Sequence, residues 1–418
     1  MDFKEMVTTT AKRAKAASHI MASLPTAVKN KALSAIAAEL DKNRETIKAE
    51  NKKDLESGVK KGLTKAFIDR LMLDDKYIDA MIKSLNDVIK LKDPVGQVTS
   101  QWGRPNGMKV KKVRYPLGVI GIIFESRPNV SAEAASLTIK SGNSVILRGG
   151  SDAYNSNMCI GRLIKNAVKT AGLPDGAVEI IEEKDREAIG ALLKLKEYVD
   201  VIIPRGGKGL VNFVAANSAI PVIYHDAGIC HTYVDKAADL NMALKVALNA
   251  KIQRPSTCNA METLLVHKDA AEKFLAKAGV EFKKANVKIK ADEKAVEYLT
   301  GSLKATDADF RTEYNDLILN VKVVDSLEEA VDHINTYGSH HSDAIITKDK
   351  KAADIFTATV DSAACFVNAS TRLHDGFEFG LGAEMGISNQ KLHVRGPLAL
   401  EGLTSEKFVV NGSGQIRG

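Results

Sequence analysis

Two hydrophobic rhythms divide the chain. Up to about residue 100, apolar positions recur at helical spacing. Leu33, Ile36, Leu40 and Ile47 form one stripe, and Ile78, Met81, Ile82, Leu85 and Ile89 form another. Residues three and four apart share one face of an α-helix, so both stripes predict helices. Asp93-Pro94 closes the second, because proline cannot continue a helix. From Val119 the rhythm changes. "VIGIIF" (119–124) is an unbroken apolar run of strand length, followed by "ESRPN" and a small-residue helical stretch, "SAEAASLTIK". "SVIL", "VEII", "VDVIIP" and "PVIY" read as further strands, with helical patterns between them. A second alternation starts near Thr232 with "TYV", "LNMALKVALNA", "ETLLV", "DLILNVKVV", "SLEEAVDHI", "SDAIIT" and "ACFVNA". Strand and helix in alternation predict parallel sheets with helices on both faces, here in two α/β units. Two strand-like segments fall outside both. "GQVTSQWGRPNGMKVKKVRYP" reads as a hairpin turning at Pro105-Asn106-Gly107, and the tail "GLTSEKFVVNG" reads as a lone strand. Both are expected to join subunits in an intersubunit sheet.

Composition narrows the class. The chain has 418 residues, enough for two or three domains, and its 44% hydrophobic and 27% charged residues are ordinary for a soluble protein. No stretch approaches the roughly 18 apolar residues of a membrane span. The start, "MDFKEMVTTTAKRAKAA", lacks the apolar core of a secretory leader. Cys159, Cys230, Cys258 and Cys365 lie far apart, which indicates neither a disulfide framework nor a zinc site and fits a reducing cytoplasm. A net charge of +7 suits an anionic small molecule or a phosphorylated cofactor. With 5% aromatic residues and no basic-aromatic cluster, nucleic acid is not an expected partner.

Ligands on parallel α/β sheets bind at the carboxyl ends of strands. In the first unit those ends carry "ESRPN", "RGGSD" and "PRGGKG". The dinucleotide fingerprint GxGxxG is absent after the first strand, and "GGKG" lacks the spacing of a P-loop. In the second unit, "QRPSTCNAMETLLVH" (253–267) sets Cys258 in a polar loop before an apolar strand, four residues after Arg254. A free cysteine is ordinarily a small buried apolar residue, but a thiol among donors and near a cation can be held as thiolate, so Cys258 is either packing or the candidate nucleophile. His340-His341 reads as a turn, and no metal site is expected.

Six segments in order, "YPLGVIGIIFESRPN", "GNSVILRGG", "GLPDG", "HDAGICHTYVD", "RPSTCNAMETLLVH" and "TRLHDGFEFGLGAEMGIS", resemble the motifs of the aldehyde dehydrogenase superfamily. More closely, they resemble its gamma-glutamyl phosphate reductase family. The resemblance covers nearly the whole chain. It implies an aldehyde dehydrogenase-like fold of two α/β domains with parallel sheets plus a small oligomerisation strand element. The implied parts are an NADP-binding domain at 1–99 and 114–228, a catalytic domain at 229–392, and oligomerisation strands at 100–113 and 393–418. It also implies NADPH-dependent reduction of L-glutamyl 5-phosphate to L-glutamate 5-semialdehyde in proline biosynthesis, with release of phosphate through a thioester on Cys258.

The resemblance implies roles for further residues. The hydrolytic relatives carry an oxyanion-donating Asn where Ser126 stands, so Ser126 or Asn129 is the expected second donor. They carry a water-activating Glu where this chain has "HDAGICH", with His225 and Asp226 near its place. The missing Glu suits an enzyme that exchanges phosphate and must exclude water. His225 is either an acid–base group or a substrate or packing contact. Arg148 replaces a ribose-facing Lys and is expected to read the 2′-phosphate of NADP(H), because a guanidinium binds phosphate bidentately. Glu125, Arg127, Pro128, Gly149, Gly150, Ser151, Gly206, Gly207, Gly209 and Glu313 complete the expected cofactor site, with Glu313 on the nicotinamide ribose. Arg254, Thr257, Asn259, His225, Arg372 and His374 are the expected substrate contacts. The expected partners are the small-molecule substrate, further copies of the chain in a dimer or tetramer, and transiently the upstream glutamate kinase. The alternatives are a hydrolysing semialdehyde dehydrogenase, against which the missing Glu argues, and a non-catalytic scaffold.

Overall fold

The computed structural model describes residues 3–417. Residues 1, 2 and 418, which the expected domain ranges include, lie outside the described residues. Contacts divide the chain into two compact units. One comprises Met1–Tyr224, Gly380–Gly386 and Leu398–Gly418, and the other His225–Phe379 and Ile387–Pro397. The division falls at Tyr224 rather than after 228, and both strand segments group with the first unit.

The first unit opens with five helices, α1 (Phe3–Met21), α2 (Thr26–Lys42), α3 (Arg44–Lys60), α4 (Lys65–Leu71) and α5 (Asp75–Lys90). Leu33, Ile36 and Leu40 form the buried face of α2, whereas Ile47 belongs to α3, so the first stripe spans two helices. After β1 (Val98–Gly103) and β2 (Lys109–Pro116), the alternation begins with β3 (Val119–Phe124), α6 (Val130–Lys140), β4 (Ser144–Gly149) and α7 (Tyr154–Ala171). It continues with β5 (Val178–Ile180), α8 (Glu187–Leu192), β6 (Val201–Arg205) and α9 (Lys208–Asn217). The sheet order is β5-β4-β3-β6 with all pairs parallel. Every residue of β3 is buried, as an apolar run covered on both faces requires. "PVIY" was expected to be a strand, but only Val222 forms an isolated bridge, to Ile202. Pro221 has no N–H to give to a ladder, and the segment leaves the sheet at once.

The second unit holds a seven-stranded parallel sheet. Its chain order is β7 (Cys230–Val234), α10 (Leu240–Ile252), β8 (Met261–His267), α11 (Lys268–Lys284), β9 (Lys288–Ala291), β10 (Leu303–Lys304) and α12 (Asp307–Phe310). Then follow β11 (Ile318–Val324), α13 (Leu327–Tyr337), β12 (Ser342–Ile346), α14 (Lys350–Thr359) and β13 (Ala364–Val367). The strands lie in the order β10-β9-β11-β8-β7-β12-β13, all pairs parallel. A short antiparallel pair, β14 (Ile387–Ser388) and β15 (Gly396–Pro397), completes the unit.

The tail strand β16 (Thr404–Asn411) is not partnerless. It pairs antiparallel with β2 from Thr404↔Pro116 to Asn411↔Lys109, and β1 pairs with the other side of β2. The three strands form one sheet of the first unit, with Trp102 and Phe408 in edge-on contact at 6.3 Å. Every residue of β1 is exposed.

Candidate active site

In the second unit, Cys258 sits in the loop between α10 and β8. Two consecutive turns shape that loop: the Thr257 N–H donates to the Arg254 carbonyl (3.3 Å), and the Ala260 N–H donates to the Thr257 carbonyl (2.9 Å). Thr257 also gives its hydroxyl to Arg254 O at 2.8 Å, so its side chain is used inside the loop. Asn259 is buried and fastens the loop to the segment 371–374. Its amide donates to the His374 carbonyl at 3.0 Å, its carbonyl oxygen accepts from Thr371 Oγ1 at 2.7 Å, and its side-chain oxygen accepts from Arg372. Asn259 is therefore a fastener of the loop, with its side-chain amide and its carbonyl oxygen committed inside the protein.

Arg372 also donates through Nε to Gln253 Oε1 at 2.9 Å. Burial lowers the pKa of its guanidinium, and the largest opposing influence is the charge of Cys258. Arg372 is thus a cation held against the Cys258 loop by Gln253 and Asn259. Arg254 is exposed and close enough to repel Arg372. Burial governs the other three cysteines. Burial pushes Cys230 well above the ordinary thiol value, Cys365 up to about 11, and Cys159 upward as well. Cys230 instead donates its thiol to the Cys258 carbonyl at 3.2 Å. Beside it, Gly228 lets the 225–229 segment press against the Cys258 backbone.

Below this loop runs a chain of buried polar groups. His341 Nδ1 and His374 Nδ1 each lie 2.7 Å from Ser342 Oγ. Burial pushes His374 down to about 4 and His341 well below its ordinary value, so both rings are neutral near pH 7. His374, expected to touch substrate, is fully enclosed and shares Ser342 with His341 instead. His225 is half-buried, with its ring 6.3 Å from that of His341. Glu313 is half-buried on the loop between α12 and β11.

In the first unit the strand order reverses between β3 and β6, which is where a parallel sheet opens a crevice at its carboxyl edge. The Glu125 N–H donates to the Arg205 carbonyl at 2.9 Å, and Glu125 Oε2 accepts from the Gly207 N–H at 2.9 Å. A β-carbon on Gly206 would fall 2.5 Å from that oxygen, whereas one on Gly209 would meet nothing within 4 Å. The Glu125 carboxylate therefore takes the Gly207 N–H and fills the space at Gly206, whereas the first turn of α9 is open at Gly209. Ser126 is 8% exposed and sits in the left-handed region at φ 49°, an uncommon conformation for a residue with a side chain. Pro128 is buried and Asn129, half-buried, begins α6. Arg127 is exposed, and with Arg205 it counters the burial that raises Glu133.

Gly149 has a packing reason for lacking a side chain, whereas a β-carbon on Gly150 would be in ordinary contact. A β-carbon on Gly149 would lie 2.1 Å from Asn157 Nδ2, and one on Gly150 3.4 Å from Glu125 Cα. Ser151 is exposed just after them. Arg148 differs from its expected placement. It is 5% exposed, and its guanidinium donates to the carbonyls of Gly149 (2.9 Å), Lys184 (2.9 Å) and Asp185 (3.3 Å). It holds the 184–186 segment, whose own cations, Lys184 and Arg186, are exposed. Sequence reasoning passed over Lys184, Arg186, Arg205 and Lys208. The signal was available as charges beside strand ends, in "EEKDRE" and "RGGKG". Among the described residues no group of three or more His, Cys, Asp or Glu forms a metal site, and no helix is long and apolar enough to cross a membrane.

Comparison with known proteins bears on this geometry. The model of the aldehyde dehydrogenase family matches residues 3–303. The chain is 50% identical over 417 residues to a gamma-glutamyl phosphate reductase of Clostridium novyi, across all of both chains. It is 51% identical over 411 residues to one of Moorella thermoacetica, covering 98% of each. The crystal structure of a gamma-glutamyl phosphate reductase from Thermotoga maritima superposes with a TM-score of 0.97 at 45% identity, over 99% of this chain and 100% of that one.

Proposed function

The chain belongs to the aldehyde dehydrogenase family, among its gamma-glutamyl phosphate reductases, and from that premise we propose that it reduces L-glutamyl 5-phosphate to L-glutamate 5-semialdehyde with NADPH, through a thioester on Cys258. The observation that carries the reading is that the Cys258 loop itself holds a cation, Arg372, through the side-chain oxygens of Gln253 and Asn259.

In this reading the Cys258 thiolate attacks the acyl carbon of the substrate. The carbon–sulfur bond forms as the carbon–oxygen bond to phosphate breaks, and the bonding pair leaves with the phosphate. Arg372 and Arg254 neutralise the departing phosphate and the substrate carboxylate. Backbone N–H groups at Cys258 or Asn259, with Ser126 or Asn129, stabilise the oxyanion at each addition. When bound, NADPH supplies the hydride that converts the thioester to the aldehyde level. Cys258 then departs as a thiolate, favoured again by Arg372. The 225–231 segment offers no glutamate to activate water, which protects the thioester from hydrolysis.

The glycine-rich start of α9 at Gly206, Gly207 and Gly209, open at Gly209, would hold the cofactor's phosphates. Glu313 would hold the nicotinamide ribose through its hydroxyls. Arg148 would act on the cofactor through the 184–186 segment, with Lys184 and Arg186 facing a 2′-phosphate. The exposed strand β1, with Val98 and Trp102 at 49% and 40% exposure, supports the reading that the three-stranded sheet joins subunits.

The decisive assay runs the reaction backward with glutamate 5-semialdehyde and NADP, with and without phosphate or arsenate. NADP reduction should require one of the two anions. Turnover without either, yielding glutamate, would identify a hydrolysing dehydrogenase instead.

A further inference from the structure

The nucleophile loop leaves α10 after Ile252 and enters β8 at Met261. An ion pair closes its base. Lys251 Nζ, in the last turn of α10, lies 2.7 Å from Glu262 Oε2, the second residue of β8, and both side chains are buried, at 0% and 1% exposure. Glu262 has a second commitment. Its Oε1 accepts from the Asn315 N–H at 3.1 Å. Asn315 is exposed, holds a left-handed backbone at φ 54°, and follows Glu313 by two residues. One carboxylate thus meets the end of the nucleophile loop and the loop that bears Glu313. Burying it costs solvation, and burial pushes the Glu262 carboxyl up and the Lys251 ammonium down. A buried pair of this kind adds little net stability over apolar packing of equal volume. Its two oxygens do, however, fix two loops at once.

We infer that Glu262 is a positioning residue that locks the base of the Cys258 loop to the loop carrying Glu313. Through this lock the cofactor-facing carboxylate and the nucleophile keep a constant separation. The inference rests on the proposed cofactor role of Glu313.

Two double variants isolate the contact. Lys251→Met/Glu262→Met and Lys251→Met/Glu262→Gln both remove the ion pair whole, so neither leaves a buried charge uncompensated. Only the glutamine keeps a carbonyl oxygen for the Asn315 N–H. In the phosphate-dependent assay, the Met pair should raise KM for NADP about 5-fold over the Gln pair, the worth of one hydrogen bond. The Gln pair should stay close to the wild-type KM, and the two should melt at similar temperatures. Equal KM values in the two variants, or a Gln pair as impaired as the Met pair, would overturn the inference. Hydrogen exchange on the wild-type chain decides the matter without any variant. The Asn315 amide should exchange slowly although its residue is exposed, and exchange at the unprotected rate sinks the proposal. Glu313→Gln tests the underlying reading separately. An unchanged KM for NADP there would remove the cofactor role of Glu313 and leave the exchange result standing.

Discussion

A β-carbon at position 228 would stand 2.0 Å from the carbonyl oxygen of Cys258 and 2.6 Å from its Cα, so Gly228 and Cys258 meet backbone to backbone. Here the constraint is space. Real β-carbons do not approach within 3 Å of a backbone atom, so any side chain at 228 must push the nucleophile loop away. The Cys230 thiol, two residues on, donates to the same Cys258 carbonyl, so the contact is fixed from two sides.

Gly228→Ala should therefore displace the thiol from the acyl carbon. A misplacement on the order of 1 Å costs about 100-fold in turnover, and overpacking costs about 1–3 kcal/mol of stability. Steady-state kinetics and thermal melting of the variant check this. Turnover near the wild-type rate would show that the loop yields without consequence.

Cys258 stands out as the candidate nucleophile because its loop breaks two patterns, standing between the helical stripe of α10 and the apolar run of β8. The carboxyl edge of the first sheet is legible because "ESRPN" and "RGGKG" follow apolar strands directly. The direction of Arg148 was not legible. Its strand-end position reads from local sequence, but its guanidinium turns toward carbonyls of Lys184 and Asp185, 36 and 37 residues along the chain. The burial of His374 is not legible for a similar reason, since its ring nitrogen meets Ser342, 32 residues earlier. The tail strand seemed to lack a partner because its pairing with β2 joins segments from opposite ends of the chain. By contrast, α11 was passed over although its stripe of Ala271, Phe274, Leu275, Ala278 and Phe282 is plain in the sequence.

Arg372→Ala should move the pH dependence of Cys258 alkylation by iodoacetamide toward higher pH. Removing a neighbouring cation withdraws support from the thiolate, and a charge at close range shifts a pKa by about 1–3 units. Arg372→Lys should recover part of the shift. An alanine variant whose profile coincides with wild type would mean that Arg372 does not support the thiolate.

Cofactor choice should follow the exposed cations held by Arg148. Lys184→Ser/Arg186→Ser should weaken NADPH binding about 10-fold or more while sparing NADH, since a charged phosphate contact is worth about 1.5–3 kcal/mol. Arg148→Ala should weaken both cofactors and lower stability, because it frees three carbonyls and the segment they fix. Titration calorimetry with both cofactors checks the contrast. An Arg148→Ala variant that loses NADPH alone would restore a direct role for Arg148.

The neutral histidines under the loop make the fold acid-labile. Burial holds His374 down at about 4 against an ordinary 6.5, with Asp375 and Asp343 opposing the shift. The unfolded chain takes up this proton near pH 6.5 and the folded chain only near pH 4. Stability is therefore lost as pH falls between those values, by on the order of 3 kcal/mol for this one group. His374→Gln should make the slope of stability against pH shallower by about one proton across that window. Urea unfolding at a series of pH values measures it. An unchanged slope would mean that His374 titrates alike in both states.

The most direct measurement of the proposed chemistry is mass spectrometry of the chain incubated with glutamate 5-semialdehyde and NADP, without phosphate, and quenched in acid. A glutamyl adduct should appear on the peptide that contains Cys258. It should disappear when phosphate is added before the quench, and it should not form in Cys258→Ser. Steady turnover without phosphate and without any adduct, or an adduct on Cys230 in place of Cys258, would contradict the account.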